Sequence, residues 1–281
     1  MSIKTQINDK QLWEHWDFWH RDNEPLPDPD KVKKHRKITL FSTCMGRAHD
    51  LKKTLLKNIV DNADYPNLVI LILNYNSSDD LEEWMKRYIS PWIEDGIVTY
   101  YKTTDPEFYE MGHSRNVAYK LASGDIVNNV DADNYTGLGF AEYVNRQAEV
   151  APKNAVFAKG KRMMHGRLGM YRNEFFEIGG YDEDLTGYGY DDHWLQIRAM
   201  EFSNKKFMWW GCGPVDFSAR IKTPRGVVGS NMREKSWKKT ENANKLIALE
   251  KFERKELVSN LNRPWGAASV SKNFSTKTFD I

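Results

Sequence analysis

The sequence predicts an α/β fold in which a mostly parallel central sheet is flanked by helices. Two observations favour this class. Short apolar, β-branched runs such as ITLFST and LVILILN have the composition of strands that are buried on both faces. These runs alternate with longer segments in which apolar residues recur at helical spacing. Alternating strands and helices imply parallel pairing through right-handed crossovers.

The regular alternation occupies residues 37–134. The strand ITLFST leads through the turn CMGR into a helix in AHDLKKTLLKNIVDNA, and LVILILN ends in the polar turn NYNSSDD. A helix over residues 81–93, the strand GIVTYYK, a helix in MGHSRNVAYKLAS and the strand GDIVNNVDADN complete this half. Ligands bind at the carboxyl ends of strands in such sheets. We therefore expect CMGR, NYNSSDD and DADN to meet in one crevice.

The alternation weakens over residues 135–220, which we assign to a second half of the same domain. Residues 135–150 are predicted to be helical, and AVFAKGKRMM and GRLGMYRNEF to be shorter strands or loops. GGYDEDLTGYGYDDHWLQIRAMEF passes from a glycine-rich loop into a helix, within which Arg198 is expected to be structural. A last strand is predicted within residues 205–211.

Two extensions flank this domain. In residues 1–36, Leu12, Trp13, Trp16 and Trp19 recur at helical spacing until the prolines of PLPDPD end the pattern. Residues 221–281 are predicted to hold a polar helix over 234–258, followed by a loosely ordered end. The last 81 residues contain 16 Lys and Arg against 8 Asp and Glu. Such a basic segment is either a solvated helix or a contact for phosphate on a nucleotide, a nucleic acid or an anionic membrane.

Composition excludes several classes of protein. The chain has 281 residues, of which 40% are hydrophobic and 13% aromatic, so most of it is expected to fold. Its two cysteines, Cys44 and Cys212, have no metal-binding spacing and argue against a disulfide framework. No apolar run approaches the ~18 residues of a membrane span, and the N-terminus lacks the apolar core of a signal peptide. These observations predict a cytoplasmic location.

The D-x-D motif Asp131-Ala132-Asp133 follows a predicted buried strand. In an extended segment, residues i and i+2 point to the same side, so both carboxylates face one spot. A divalent cation bound through oxygen atoms would offset their repulsion and hold a diphosphate. The alternative is a capping aspartate beside a solvent-exposed one.

A second acidic pair, Asp191-Asp192, opens a predicted helix after the glycine-rich loop GGYDEDLTGYGY. Glycines let a ligand approach the backbone closely. A carboxylate at this position either caps the helix or, beside aromatic residues, acts as a general base in a sugar site.

The order of these segments resembles the GT-A (Rossmann-like) glycosyltransferases of the family-two type. The matching segments run from ITLFST through NYNSSDD, GHSRN and DAD to GGYDEDLTGYGYDDHWLQIR, over residues 38–198. The last of them also resembles the carboxyl-terminal module of galactosyltransferases. The resemblance implies an inverting transfer of a sugar from a nucleotide-sugar, with a UDP-sugar as the expected donor, to an acceptor hydroxyl.

The resemblance also assigns roles to residues. Thr43 and Arg47 would border the nucleotide. Asn74 replaces the acidic residue that contacts the nucleotide base in relatives, and Asn76 belongs to the same strand-end segment. Arg115 would reach the diphosphate. Asp131 would contact ribose or metal-bound water, and Asp133 would bind Mn²⁺ or Mg²⁺. Asp192 would be the catalytic base, and Asp191 would contact the acceptor. Relatives often add a metal-binding histidine downstream, but no histidine follows His193, and Asp216 is nearest by position.

Two other functions remain open at this stage. A nucleotidyltransferase also joins a nucleotide-binding sheet to acidic metal ligands, although STCMGRAHD has a single glycine where that class usually has a glycine-rich loop. A non-catalytic nucleotide-sugar-binding module would not need Asp133 and Asp192. The acceptor is a glycan, a glycolipid or another hydroxyl compound, with a nucleic acid less favoured.

Overall fold

A seven-stranded mixed sheet organises the described part of the chain. The computed structural model describes residues 27–151, 153–156, 166–203, 221 and 231–281, and the backbone of 18–20 and 207–209. Within these ranges the strands are β1 (Phe18–His20), β2 (Ile38–Cys44), β3 (Leu68–Tyr75), β4 (Val98–Thr103), β5 (Ile126–Asn129), β6 (Gly169–Tyr171), β7 (Phe207–Trp209), β8 (Ser269–Lys272) and β9 (Thr278–Asp280). The order in the main sheet is β6-β5-β2-β3-β4-β8-β9.

The centre of the sheet is parallel, as the alternation of strands and helices predicted. Strands β5, β2, β3 and β4 are neighbours, and each pairs in parallel with the next. The register places Cys44 beside Asn74, and Phe41 beside Asn129. The carboxyl ends of β2, β3 and β5 therefore lie along one edge of the sheet, where the polar turns follow.

Helices cover both faces of the sheet. They are α1 (Ala48–Asp61), α2 (Leu81–Trp84), α3 (Ser90–Glu94), α4 (Met111–Leu121), α5 (Phe140–Val150), α6 (Arg172–Glu177), α7 (Asp191–Phe202) and α8 (Trp237–Glu253). A π-helical turn, Met85–Ile89, joins α2 to α3. The helices predicted over 81–93 and 135–150 are thus confirmed, the second with a later start.

Two apolar cores follow from the alternation of side chains along the strands. In β3, Leu71 and Leu73 pack in one core, while Ile70 and Ile72 pack in the other. The first core includes residues of α4, α6, α7 and α8, and the second includes residues of α1, α2 and α5. Because both faces are covered, the strands need no alternation of polar and apolar residues.

The end of the chain extends the sheet. Strand β8 pairs antiparallel with β4, and β9 pairs antiparallel with β8. The expectation of a loosely ordered end is therefore wrong. The polar sequence of this segment gives no strand signal, because β9 is an exposed edge strand. Of the two strands, only β8 contributes to the core, through Val270. The domain boundaries at 36/37, 134/135 and 220/221 stay predictions.

The described part of the N-terminal extension contains a strand. Residues 18–20 form β1, which pairs in parallel with β7. The prediction of a helix that includes Trp19 is therefore wrong at that residue, because pairing with a distant segment determines its conformation. Leu12, Trp13 and Trp16 lie outside the described residues. Strand β7 confirms the strand predicted within 205–211.

Arg198 is a buried structural residue of α7. Its Nη1 donates to the carbonyl of Ile178 at 2.7 Å, and its Nη2 to the carbonyl of Gly180 at 2.5 Å. The guanidinium lies 5.5 Å from the centre of the Trp194 ring. Burial lowers the pKa of Arg198 to about 10. The Arg198 side chain thus links the start of the glycine-rich loop to α7 through hydrogen bonds.

We expect Arg198→Met to lower the free energy of unfolding by about 2–4 kcal/mol, because it removes two buried hydrogen bonds, of which the Ile178 carbonyl keeps a partner in Ser259 N–H at 3.2 Å. Urea denaturation measures the change. The exposed Arg87 offers a matched control, since Arg87→Met should stay within about 0.5 kcal/mol of the parent. Equal stabilities for the two variants would contradict a structural role for Arg198.

Candidate active site

The three polar turns meet at the carboxyl edge of the sheet. The backbone N–H of Gly46 donates to Ser77 Oγ at 2.7 Å, and that of Ala48 donates to Asp79 Oδ2 at 2.8 Å. On the side of the DADN turn, Arg47 Nη2 lies 3.3 Å from Asp133 Oδ2. The CMGR turn thus contacts both of its neighbours, and the expected meeting of the three turns is confirmed.

The D-x-D motif forms a turn, closed by a 2.9 Å hydrogen bond from Asn134 N–H to the Asp131 carbonyl, so the expectation of an extended segment there is wrong. Its two carboxylates have different surroundings. Asp131 has a side chain that is 40% exposed, and its Oδ1 accepts a hydrogen bond of 2.8 Å from Asn129 Nδ2. Asp133 is more enclosed and accepts hydrogen bonds from Arg47 and Asn134. Burial and the nearby charge of Asp131 raise the pKa of Asp133, although Arg47 opposes the shift. A further cation here would stabilise the ionised form of Asp133.

Arg115 joins the D-x-D motif to the second acidic pair. It lies on α4, and its side chain is only 1% exposed. Its Nη1 donates to Asp191 Oδ2 and, at 2.6 Å, to Asp192 Oδ1. Its Nη2 lies 3.5 Å from Asp131 Oδ1. Burial disfavours the charged form, but the carboxylates of Asp192 and Asp191 hold the pKa of Arg115 well above its usual value.

Asp191 and Asp192 are the first two residues of α7, where the helix dipole favours negative charge. The side chain of Asp191 is 4% exposed and that of Asp192 is 12% exposed. Burial raises the pKa of Asp191, and the charge of Arg115 opposes that shift. Of the two carboxylates, Asp192 is the more accessible to a ligand.

The other residues predicted to bind the donor make hydrogen bonds within the protein. Thr43 Oγ1 lies 2.6 Å from the hydroxyl of Tyr109, and Asn76 Nδ2 donates to the carbonyl of Pro106. Asn74 is buried, with Nδ2 donating to the Tyr100 hydroxyl and Oδ1 accepting from the N–H of Ser77, each at 2.8 Å. Each end of the Asn74 amide keeps one further hydrogen-bonding position, and a contact between Asn74 and a base stays a prediction.

Gly166 is a site residue that the sequence analysis missed. A Cβ atom at this position would lie 2.8 Å from Arg115 Nη2, 3.0 Å from Asp131 Oδ2 and 3.3 Å from Asp192 Oδ2. The Gly166 carbonyl also accepts a 2.6 Å hydrogen bond from Asn129 Nδ2. The backbone therefore lies directly against the charged cluster. A glycine in a segment without regular pattern gives no sequence signal for such a contact.

Carboxylates outnumber guanidiniums among the described residues in contact at this edge. The described groups comprise two guanidiniums and five carboxylates, a formal balance of −3, and they are Arg47, Arg115, Asp50, Asp131, Asp133, Asp191 and Asp192. The described residues include no group of three or more His, Cys, Asp or Glu side chains placed to hold a metal ion. Asp216 lies outside the described residues.

Two carboxylates nevertheless fit Mg²⁺ or a similar ion. Such ions are often held by one or two carboxylates together with substrate phosphates and water. Asp131 and Asp133 supply hard oxygen ligands, and the exposed side of Asp131 leaves room for further ligands from a bound nucleotide.

Sequence comparison identifies the family. The pattern of the family described as Glycosyl transferase family 2 matches residues 41–207, which is more than half of the chain. The chain belongs to this glycosyltransferase family. No curated protein sequence matches the transferase.

Solved structures show the same fold. Mannosyltransferase PcManGT from Pyrobaculum calidifontis, in complex with GDP-Man and Mn²⁺, is 20% identical over 73% of this chain, with a TM-score of 0.53. Glucosyl-3-phosphoglycerate synthase from Mycobacterium tuberculosis, in complex with Mn²⁺, UDP and phosphoglyceric acid, is 15% identical, with a TM-score of 0.57, and the match covers 82% of this chain and 84% of that enzyme.

TarS from S. aureus, in complex with UDP, is 13% identical, with a TM-score of 0.51, over 80% of this chain and 73% of that one. The present transferase spans 61% of the Pyrobaculum chain. Together these likenesses establish a GT-A fold.

None of the helices in the described ranges has the length and apolar character needed to cross a bilayer.

We expect Gly166→Ala to lower the rate of sugar transfer by about 100-fold, because the added methyl group displaces Arg115, Asp131 or Asp192, and misplacements of about 1 Å have effects of that size. Steady-state kinetics and circular dichroism measure rate and fold. Gly112→Ala is the control, since a Cβ there meets its neighbours at 3.4 Å or more. Full activity in Gly166→Ala would show that the close approach has no role in catalysis.

Proposed function

We propose that this glycosyltransferase is an inverting enzyme that moves a sugar from a UDP-sugar to the hydroxyl of an acceptor. The observation that carries the proposal is the position of Arg115 between the two acidic motifs. One guanidinium contacts Asp131 on one side and the Asp191-Asp192 pair on the other. A nucleotide-sugar bound at the D-x-D motif would therefore have its reacting carbon within reach of the second pair.

The donor would bind along the carboxyl edge of the sheet. Thr43, Arg47, Asn74 and Asn76 would border the donor on the side of β2 and β3. UDP is the favoured nucleotide because the glucosyl-3-phosphoglycerate synthase and TarS structures contain it, whereas the PcManGT structure contains GDP-Man. The amide of Asn74 can both donate and accept, which suits the edge of a uracil.

Asp131 and Asp133 would hold Mn²⁺ or Mg²⁺, with Asp216 as a further ligand. Such an ion, when bound, neutralises negative charge on the diphosphate. Arg115 would assist from its buried position by donating to a phosphate oxygen in exchange for part of its contact with the carboxylates. The guanidinium bonds to carboxylate and to phosphate are both charge-assisted, so the exchange replaces one strong hydrogen bond with another.

Asp192 would act as the general base. Its carboxylate accepts the proton of the acceptor hydroxyl while that oxygen forms a bond to the anomeric carbon. The bond between the anomeric carbon and the diphosphate oxygen breaks on the opposite face, so the configuration inverts and UDP leaves. Asp191 would accept a hydrogen bond from the acceptor and orient it. The acceptor is a glycan, a glycolipid or another hydroxyl compound.

We expect Asp192→Asn to lower turnover by about 10²–10⁴, since the amide keeps the shape of the side chain and cannot accept the proton. UDP binding should persist. Release of UDP from a panel of UDP-sugars with Mn²⁺ measures turnover, and the anomeric configuration of the product tests inversion. Asp191→Asn should mainly weaken acceptor use. An inactive Asp191→Asn beside an active Asp192→Asn would exchange the two roles, and full activity in both would rule out this mechanism.

Metal removal supplies a second test. EDTA should abolish donor binding, and Asp133→Ala should do the same in the presence of Mn²⁺, because both leave the diphosphate charge without its counterion. Isothermal titration with UDP measures binding with and without Mn²⁺. Asp64→Ala, at an exposed acidic residue away from the turns, is the control. Unchanged turnover in EDTA would contradict the metal requirement.

A further inference from the structure

The loop before Asp191 has an unusual backbone. Gly187, Gly189 and Tyr190 all have positive φ angles, of 67°, 93° and 67°. Glycine adopts this conformation readily, whereas Tyr190 carries a side chain that disfavours it. Such a conformation persists only where the surrounding structure holds it in place. The contacts made by this loop therefore decide where α7, with its two carboxylates, begins.

Asn244 of α8 makes two of those contacts. The residue is 3% exposed. Its Nδ2 donates to the carbonyl of Thr186 at 3.0 Å and to the carbonyl of Gly189 at 2.8 Å. One amide group thus spans the four-residue stretch from Thr186 to Gly189.

The helix surface around Asn244 also packs tightly on this loop. A Cβ atom on Gly187 would lie 3.2 Å from Thr240 Cγ2, and one on Gly189 would lie 3.0 Å from Glu241 Cβ. The two glycines therefore permit the close approach of α8, and the approach brings the Asn244 amide within reach of the carbonyls.

A second contact fixes α8 relative to α7. Lys251 Nζ donates to both carboxylate oxygens of Asp182, at 2.9 and 2.7 Å. Asp182 Oδ2 in turn accepts a hydrogen bond of 2.9 Å from Trp194 Nε1 on α7. The helix that carries Asn244 is thus anchored, through Asp182, to the helix that carries Asp192.

We propose that Asn244 is a positioning residue for the reaction, acting through Asp192. The carbonyl of Gly189 belongs to the peptide that precedes Tyr190, and the Tyr190 carbonyl accepts the helical hydrogen bond from Trp194 N at 2.8 Å. Asn244 therefore sets the orientation of the chain one peptide before α7, and α7 carries that orientation to Asp192. The inference rests on the proposed role of Asp192 as the base.

Asn244→Asp is the direct test. The carboxylate has the shape of the amide, lacks both donated hydrogens and repels the two carbonyls. We expect kcat to fall about 10- to 100-fold, as for other small displacements of a catalytic group, while the Kd for UDP with Mn²⁺ stays within about twofold. Asn244→Gln retains the amide donor and should recover part of the lost kcat.

Asn145→Asp is the matched control. Asn145 is also a buried helical asparagine, and its Nδ2 donates to the carbonyl of Lys34 at 3.1 Å, at the opposite edge of the sheet. The substitution removes a bond to a backbone carbonyl far from Asp192, keeps the oxygen that accepts from Arg36 N at 3.3 Å and Nη1 at 3.5 Å, and should leave kcat unchanged. A fall in kcat in Asn145→Asp equal to that in Asn244→Asp would overturn the inference, because destabilisation alone would then explain both.

A double-mutant cycle tests whether Asn244 acts through Asp192. If it does, Asn244→Asp in the Asp192→Asn background should reduce kcat by less than about twofold further. A full additional 10- to 100-fold loss would overturn the inference and leave the base assignment intact. If Asp192→Asn alone retained the parental kcat, the proposed function would fail by that separate measurement, and any loss in Asn244→Asp could not pass through Asp192.

Discussion

The contact of Arg115 with three carboxylates is the interaction on which the site depends. Asp131, Asp191 and Asp192 come from segments distant in sequence, and a buried guanidinium holds them together. Removing a buried cation from such a group would leave unpaired negative charges in a low-dielectric environment, which is strongly destabilising. The same ionic cluster therefore contributes to the stability of the site and contains the carboxylates proposed to take part in the reaction.

The carboxyl-terminal segment belongs to the same structural unit as this cluster. Strand β8 pairs with β4, and α8 packs on the glycine-rich loop that ends at α7. The loop is also held from other sides, because Asn116 of α4 bonds to Tyr181, and Arg198 bonds to the carbonyls of Ile178 and Gly180. A loop that is rich in glycine is therefore fixed by hydrogen bonds from three helices. These hydrogen bonds hold the start of α7, and with it the Asp192 carboxylate, in a defined position.

Much of the fold could be predicted because the central strands carry their own signal. In β2 and β3, apolar residues on both faces of each strand indicate burial, and the intervening helices indicate parallel pairing. The terminal elements lack that signal. Residues 18–20 form a strand against residues 207–209, and β9 is an exposed edge strand. Pairing with a partner distant in sequence decides both, and neither local propensity nor periodicity contains that information.

The sequence by itself determined the acidic motifs and their places at a strand end and a helix start, because both follow from local patterns around Asp131 and Asp192. Only the tertiary structure decided what these carboxylates contact. It turned Arg115 toward them, enclosed Asn74 with Tyr100 and Ser77, and set Gly166 and Asn244 against the site. These contacts join residues far apart in the chain, and their geometry depends on how the sheet and helices pack. A sequence pattern records which groups are available, whereas packing determines which of them meet.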